Sequence, residues 1–415
     1  MAQIVASGRL AANSRVVSYD TELQMRANIF DIWGGMKKGI YNRQNQSFPM
    51  DSCFVKVKDQ KTSESVITLK ENLQTAGVVG EQAARGTEEP PQTLDMRTYQ
   101  DNLRKVIPIP GYGLRKMEGE HYKLWDQHKN GLGLWNEEQK GYDIRHCHLE
   151  KYDWNMSLAN SNVFASLTPE WNPNMFIPGL AFANQPAYVA NNRAQHTANI
   201  VNGLLASGGL GQLLGRTLTA PVLEDISNFA LQRRLKRMKI PGLPTGMGFI
   251  LTISELQAAL ISNPTVAANN LGALYIAKAA LPDTVQKWRG VIGAYNDLLL
   301  VVDPRQPTLY PTGTAAPFTL TAGYMTWDSA DGRNRNLANI KDTAFLVGAG
   351  NFVEVEGEKL HWISDQQDYD FRKGVGTACV RGYNLPIFTD TNNNTVYDRG
   401  AVIVLDLPNG GALSV

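Results

Sequence analysis

Polar and apolar residues alternate most regularly just after residue 63. In Glu64–Leu73, Val66, Thr68 and Lys70 interleave with Ile67, Leu69 and Glu71, the period of two that predicts a half-exposed strand. A second extended segment, Gln92–Ile107, sets Leu94, Met96 and Thr98 against Asp95, Arg97 and Tyr99. Between them Gly77, Gly80, Gly86, Pro90 and Pro91 break regular structure. The pattern predicts a long two-stranded arm over Ser63–Pro110, its tip carrying Glu81, Arg85, Glu88 and Glu89 and little to anchor it. Such an arm is marginal in water by itself. It needs a surface to lie on, and another copy of the chain is one candidate.

Elsewhere the period changes. Ile29, Ile32, Trp33, Met36 and Ile40 have helical spacing, interrupted by Gly34 and Gly35; Cys53–Val57 reads as a short strand. From Leu114 through Met117, His121, Leu124, Trp125, His128, Leu132, Trp135 and Gln139 to Tyr142, steps of three or four draw one face of a long helix. About 35 residues at 1.5 Å each would span on the order of 50 Å. Residues 152–220 are rich in Asn, Pro, Gly and Ala and predict a long loop, with Trp171, Phe176, Phe182 and Tyr188 as aromatic anchors for contact between subunits. Pro221 opens a helix whose inner face holds Leu223, Ile226, Phe229, Ala230 and Met238. Phe249–Ile253 is a buried strand, and Ser254 with Gln257 has capping-box spacing. With the apolar run Asp297–Val302 this makes a strand–helix–strand unit. Ala344–Val347, Asn351–Val355, Val375–Val380 and Ala401–Leu407 are further strands. Residues 1–28 show no period and read as a docking arm or a frayed terminus.

Composition narrows the class. The 415 residues are 43% hydrophobic and 19% charged, with a net charge of +1, which argues against a strongly basic nucleic-acid binder but not against a protein that encloses nucleic acid. Near-neutrality also suits self-association. Cys53, Cys147 and Cys379 are too few and too scattered for a disulfide framework or zinc ribbon. The N-terminus lacks an apolar run long enough for a signal peptide, and no window approaches a membrane span. A cytosolic origin is expected.

The chemical candidates are sparse. His146 and His148 in HCHLE would point about 200° apart on a helix, so they read as an interfacial or packed pair rather than metal ligands, and His121 and His128 as packed or stacked. SGGLGQLLG lacks the spacing and the preceding strand of a dinucleotide loop. The turn at Asp390, Asn392 and Asn394 lacks the glycine and glutamate of an EF-hand, and Asp328 with Asp331 reads as an exposed loop. Arg233, Arg234, Lys236, Arg237 and Lys239 are predicted on the last turns of the helix after Pro221. They read as a solvated helix end, a contact with an acidic neighbour subunit, or a nucleic-acid contact. No catalytic triad motif and no cofactor motif is present.

In its order of parts the chain resembles the tailed-phage major capsid proteins of the HK-ninety-seven type. VITLKENLQTAGVVGEQAARGTEEPPQTLDMRTYQDNLRKVIPIPGYGLRKMEGEHYKLWDQ is similar to the strand, Gly-rich tip, polar strand and long helix of N-four-like podophage capsid proteins. Gly77, Gly80, Gly86, Glu88 and Glu89 match that tip, although Arg85-Gly86-Thr87 stands where relatives have Glu-Gly. MGFILTISELQ, GAYNDLLLVV, TAFLVGAGNFVEV and DYDFRKGVGTACVRGYNLPIF follow in the family's order, and the resemblance spans about residues 60–390.

The resemblance implies an α+β capsid fold. Its parts would be an N-terminal arm (1–50), an E-loop (51–110), and a P-domain with spine helix and long loops (111–220, its strands completed by about 344–372). An A-domain with a central β-sheet flanked by helices would take 221–343 and 373–415. It implies a non-enzymatic shell protein without cofactor or metal, forming hexamers and pentamers around double-stranded DNA with no sequence-specific binding. Gly77, Gly80, Glu81, Arg85, Gly86, Glu88 and Glu89 would contact a neighbour. Relatives that cross-link do so through a tip lysine; Thr75–Gln92 has none, so no such bond is expected. A separate scaffolding protein, a portal and a decoration protein are the implied partners, with no membrane; the location is the virion, after assembly in the host cytoplasm. The rivals are an encapsulin-like compartment shell and a soluble enzyme with an unrecognised site.

Overall fold

The computed structural model describes residues 32–33, 53–58, 62–70, 93–109, 131–133, 135–136, 138–152, 171–180, 185, 217–262, 275–286, 288, 290–312, 319–322, 341–367, 372–389 and 395–406. These hold three sheets, whose strands are numbered β1–β18 in chain order, and, beside the helical pair Ile32–Trp33, four longer α-helical segments. The described positions between 131 and 150 are all helical (α1); Ala220–Gln232 (α2), Glu255–Ser262 (α3) and Asp283–Gln286 (α4) follow. None is long and apolar enough to cross a membrane.

The largest sheet has ten strands. It comprises β5 (Met175–Phe176), β6 (Met238–Lys239), β7 (Met247–Ile253), β8 (Tyr275–Ala277), β9 (Val291–Tyr295), β10 (Leu298–Val302), β11 (Thr308–Thr312), β12 (Thr319–Ala322), β13 (Lys341–Val347) and β18 (Gly400–Asp406). Strand β10 lies parallel to β7, and β13 runs antiparallel to both β7 and β18. The strands flanking this centre are apolar runs because both faces are covered. Side chains sort by parity: Phe249, Leu251, Leu298, Leu300, Leu346 and Ile403 join one cluster, with Leu223, Ile226, Phe229 and Ala230 of α2. Ile250, Leu299, Val301, Phe345 and Val402 join the other, with Trp33, Ile144, Cys147 and Trp171.

Several expectations change here. The strand–helix–strand unit exists, but β8 and β9 intervene before β10. The helix after Pro221 ends at Gln232, so Met238 lies on β6 instead of on its inner face. Trp171 and Phe176, expected as anchors between subunits, are buried in the core, where Phe176 stacks on Phe229 at 4.4 Å. Large aromatics in a Pro- and Asn-rich stretch look like surface anchors until β5 pairs with β18 and carries them inside. Phe182 and Tyr188 lie outside the described residues. The Ser254 cap forms, receiving the Gln257 N–H at 3.3 Å. The Gln257 side chain instead accepts from Leu218 N–H and donates to the Asp406 carbonyl.

The second sheet is ordered β1 (Phe54–Lys58), β14 (Phe352–Gln367), β15 (Arg372–Asn384), β4 (Asp101–Ile109). Strands β14 and β15 form a hairpin of 16 and 13 residues, far longer than Asn351–Val355 and Val375–Val380 predict. Bulges near Glu356–His361 break the alternation that would have revealed it. Helix α1 lies on this sheet through Leu132 against Trp362, and Asn136 Nδ2 donates to Thr377 Oγ1 at 3.0 Å. The long helix predicted over Leu114–Tyr142 is helical at its described positions and continues to Glu150; 114–130, 134 and 137 lie outside them. The third sheet is ordered β17 (Thr395–Val396), β16 (Phe388–Thr389), β3 (Thr93–Tyr99), β2 (Glu64–Lys70).

Candidate assembly surface

Strands β2 and β3 pair antiparallel from Glu64↔Tyr99 to Lys70↔Thr93. Leu94, Met96 and Thr98 face inward, as their alternation predicts, with Ile67 beside them. Leu94 and Met96 rest on Val353, Val355 and Phe388, so the described part of the arm has support from its own chain. That corrects the expectation of an unsupported hairpin: the covering residues come from β14 and β16, about 260 and 290 positions away in sequence. The outer face is open. Val66 is 56% exposed, and Arg97 pairs with Glu64 at 3.1 Å as a solvated ion pair, worth less than about 1 kcal/mol.

The second extended segment is also not one strand. At Gln100 the chain leaves the third sheet and enters the second, where Asp101–Ile109 pairs with β15. The changeover is bound tightly: Gln100 N–H donates to Ser63 O at 3.0 Å, and its Nε2 to Thr62 O at 2.7 Å. Asn384 behaves as a strand partner for Tyr99, accepting its N–H at 3.2 Å and donating to its carbonyl at 3.0 Å. A Cβ at Gly382 would sit 2.0 Å from Tyr99 O, so only glycine allows the backbones to cross here. Beside the crossing lies an open pocket of about 430 Å³ lined by Thr62, Ser63, Gln100, Asp101, Asn102, Gly357, Glu358 and Val380. Sequence reading missed the crossing; the lone Gly382 and the Tyr-Asn pair at 383–384 were its only signals.

Strand β2 has β3 as its sole described partner and forms one edge of its sheet. An edge strand with an exposed valine is a ready template for another chain. The tip residues Gly77, Gly80, Glu81, Arg85, Gly86, Glu88 and Glu89 lie outside the described residues.

The basic run is described throughout, and it is not on helical turns. Helix α2 stops at Gln232, Arg233 caps it, and Arg234 turns the chain at φ 51°. Lys236 then pairs with Asp398 at 3.5 Å and Arg237 with Asp297 at 3.4 Å, while Lys239 lies exposed on β6. The run therefore projects from a turn and a strand. Helical extrapolation failed because Arg234 adopts a left-handed conformation that ends α-geometry.

His146 and His148 go to separate partners, as expected of packed residues. His146 Nδ1 donates to Tyr152 O at 3.0 Å. His148 Nε2 donates to Ala401 O at 3.0 Å, and its Nδ1 accepts from Asn351 Nδ2 at 2.9 Å. Burial pulls His148 down to about 4, against the pull of the Ala401 carbonyl, so it is neutral at pH 7. All three cysteines are buried thiols outside any disulfide. Among the described residues no group of three or more His, Cys, Asp and Glu side chains could hold a metal ion. His121, His128, Asp328, Asp331, Asp390, Asn392 and Asn394 lie outside them.

The architecture now meets known structures. No protein-family model matches the chain, and no curated protein matches it in sequence. The capsid of Ralstonia phage GP4 superposes with TM-score 0.56 at 14% identity, over 86% of this chain and 88% of that one. The head structure of Helicobacter pylori bacteriophage KHP40 gives TM-score 0.54 at 12% identity, over 88% of this chain and 93% of that one. This is the HK-ninety-seven-type capsid fold. The chain builds an α+β fold of this type, with β2 at the edge of its sheet among the described residues and the basic run on a turn beside the central sheet.

Proposed function

We propose that the chain is a phage major capsid protein, self-assembling as hexamers and pentamers into an icosahedral shell around double-stranded DNA. The observation that carries this reading is the fold shared with two phage capsids over most of each chain. The tip motif and the order of segments after it support kinship with the N-four-like podophage capsid proteins in particular. In the domain terms of that fold, we narrow the E-loop expected over 51–110 to β2, β3 and the segment between them, because β1 and β4 join the second sheet. We assign that sheet, with β15 from the stretch expected in the A-domain, to the P-domain together with α1, and the ten-stranded sheet with α2 and α3 to the A-domain.

The mechanism is assembly, with no catalysis and no cofactor. The E-loop lies over a neighbouring subunit, adding the open edge of β2 and the acidic tip to that subunit's surface. Each contact is weak alone and is multiplied by copy number. A scaffolding protein, a portal and a decoration protein are the expected partners.

Electron microscopy of the full chain, expressed with and without its genomic neighbours, tests the reading. Shells, tubes or capsomers are expected. A stable monomer that binds a small ligand tightly would overturn it, and shells loaded with protein cargo would point to an encapsulin-like compartment. Deleting Gly77–Pro91 should leave folded monomer and abolish closed shells. Normal shells after that deletion would refute the role given to the arm.

A further inference from the structure

Backbone hydrogen bonds tie the basic run into a platform. Lys236 N–H donates to Asp398 O at 2.9 Å, Ala349 N–H to Lys236 O at 2.9 Å, and Gly348 N–H to Arg399 O at 2.8 Å. The three segments are so close that a Cβ at Gly348 would lie 2.4 Å from Lys236 O and 2.5 Å from Arg399 O. Leu235 and Met238 are buried beneath, and Lys239 is held by the β6–β7 pairing. The cations therefore stand on a rigid support instead of a loose tail.

Charge on this platform is unbalanced. Asp398 serves both Lys236, at 3.5 Å, and Arg399, at 3.0 Å. Asp297 is buried and serves Arg237 at 3.4 Å while accepting from Ser227 Oγ at 2.7 Å. Arg234 and Lys239 are exposed in addition, so among the described residues the cations here outnumber the carboxylates paired with them. The negative end of α2 accounts for cations just beyond its last turn, but its effect fades before Lys239 and Arg399. Arg234 keeps its charged side chain at a positive φ, a conformation uncommon outside glycine, asparagine and aspartate.

We propose that this platform binds the phosphate backbone of double-stranded DNA without reading its sequence, which sets this face toward the interior of the shell. The inference rests on the capsid reading and deepens it by naming the surface that meets the packaged genome. An open, rigid array of arginine and lysine suits successive phosphates, whose neutralisation releases counterions and needs no base contact.

The test uses the full chain, a fluorescent 30-base-pair duplex and poly-glutamate of matched charge, each titrated from 50 to 200 mM salt. The variant carries Arg233→Gln, Arg234→Asn and Lys239→Gln; asparagine at 234 tolerates the left-handed backbone. Relative to the unaltered chain, duplex affinity at 50 mM salt should fall at least about tenfold. The slope of log K against log salt should fall by about 2–3, near 0.9 per phosphate contact removed. Lys239→Glu alone, at an exposed strand position, should lower the slope by about 1 and serves if the triple variant does not fold. Unchanged affinity and slope would overturn the proposal. Binding of poly-glutamate but not duplex would also overturn it, assigning the face to an acidic protein. Electron microscopy in parallel separates the two readings: shells with unaltered duplex binding in the variant count against the platform alone, and absence of shells counts against the capsid reading.

Discussion

Arg145 and Asp303 form a fully buried, two-pronged ion pair, with Arg145 Nε and Nη2 each 2.7 Å from a carboxylate oxygen. Trp33 Nε1 donates to the same carboxylate at 3.1 Å and the Arg305 N–H at 3.1 Å, so one residue joins the N-terminal segment, α1 and the end of β10. Removing one partner strands a buried charge. Arg145→Met should cost about 3–5 kcal/mol in urea unfolding of unassembled protein, and a loss under 1 kcal/mol would show that the site relaxes or takes in water.

A second pair of residues makes opposite demands on pH. Burial pushes Asp342 up to about 6, against hydrogen bonds from Ser254, Gln257 and Thr343. Between its ordinary value of 3.8 and about 6 the folded state keeps a proton that the unfolded state has lost, so stability falls as pH rises through that window. His148, lowered from 6.5 to about 4, works the other way: stability from this group is lost as pH falls from 6.5 toward 4. The two oppose each other between pH 4 and 6. Asp342→Asn removes one side, so unfolding free energy should climb more steeply with pH over that range, by about 2–3 kcal/mol in all. An unaltered slope in denaturant titrations at pH 4, 5 and 6 would show that Asp342 is ionised in the fold.

Among elements, the crossing at Gln100 joins the hairpin to the rest of the fold. Asn384→Ala would leave the Tyr99 N–H and carbonyl without their side-chain partners, at about 1–3 kcal/mol for each buried group. Hydrogen exchange should quicken across β2 and β3 while β7 and β10 stay protected. Equal quickening everywhere would mean that the hairpin and central sheet unfold as one unit. Much at this scale was legible beforehand. Strict alternation announced β2, unbroken apolar runs announced β7 and β10, and Ser254 with Gln257 announced the start of α3. The split of the second extended segment was not legible, because Leu94–Tyr99 and Asp101–Ile109 share strand-like composition and only their partners differ. The length of β14 was hidden by its bulges and charged middle.

For the whole molecule, a shell of such tiles would be held by non-covalent contacts, since Thr75–Gln92 contains no lysine. Boiled, reduced particles should run as a single monomer band on a denaturing gel, and a ladder of multimers would contradict this. Local pattern in the chain was enough to announce a strand-forming arm, a central apolar α/β unit and packed histidines, because periodicity and side-chain geometry act over a few residues. It was also enough to carry the order of motifs by which the capsid resemblance was drawn. Pairings hundreds of residues apart were left to the tertiary structure. It alone brought Leu94 and Met96 onto Val353 and Phe388, buried Trp171 and Phe176, ended α2 before the basic run and set Arg399 beside Lys236. Each depends on which surface a strand or turn meets, and that is decided by the collapse of the whole chain around its apolar centre.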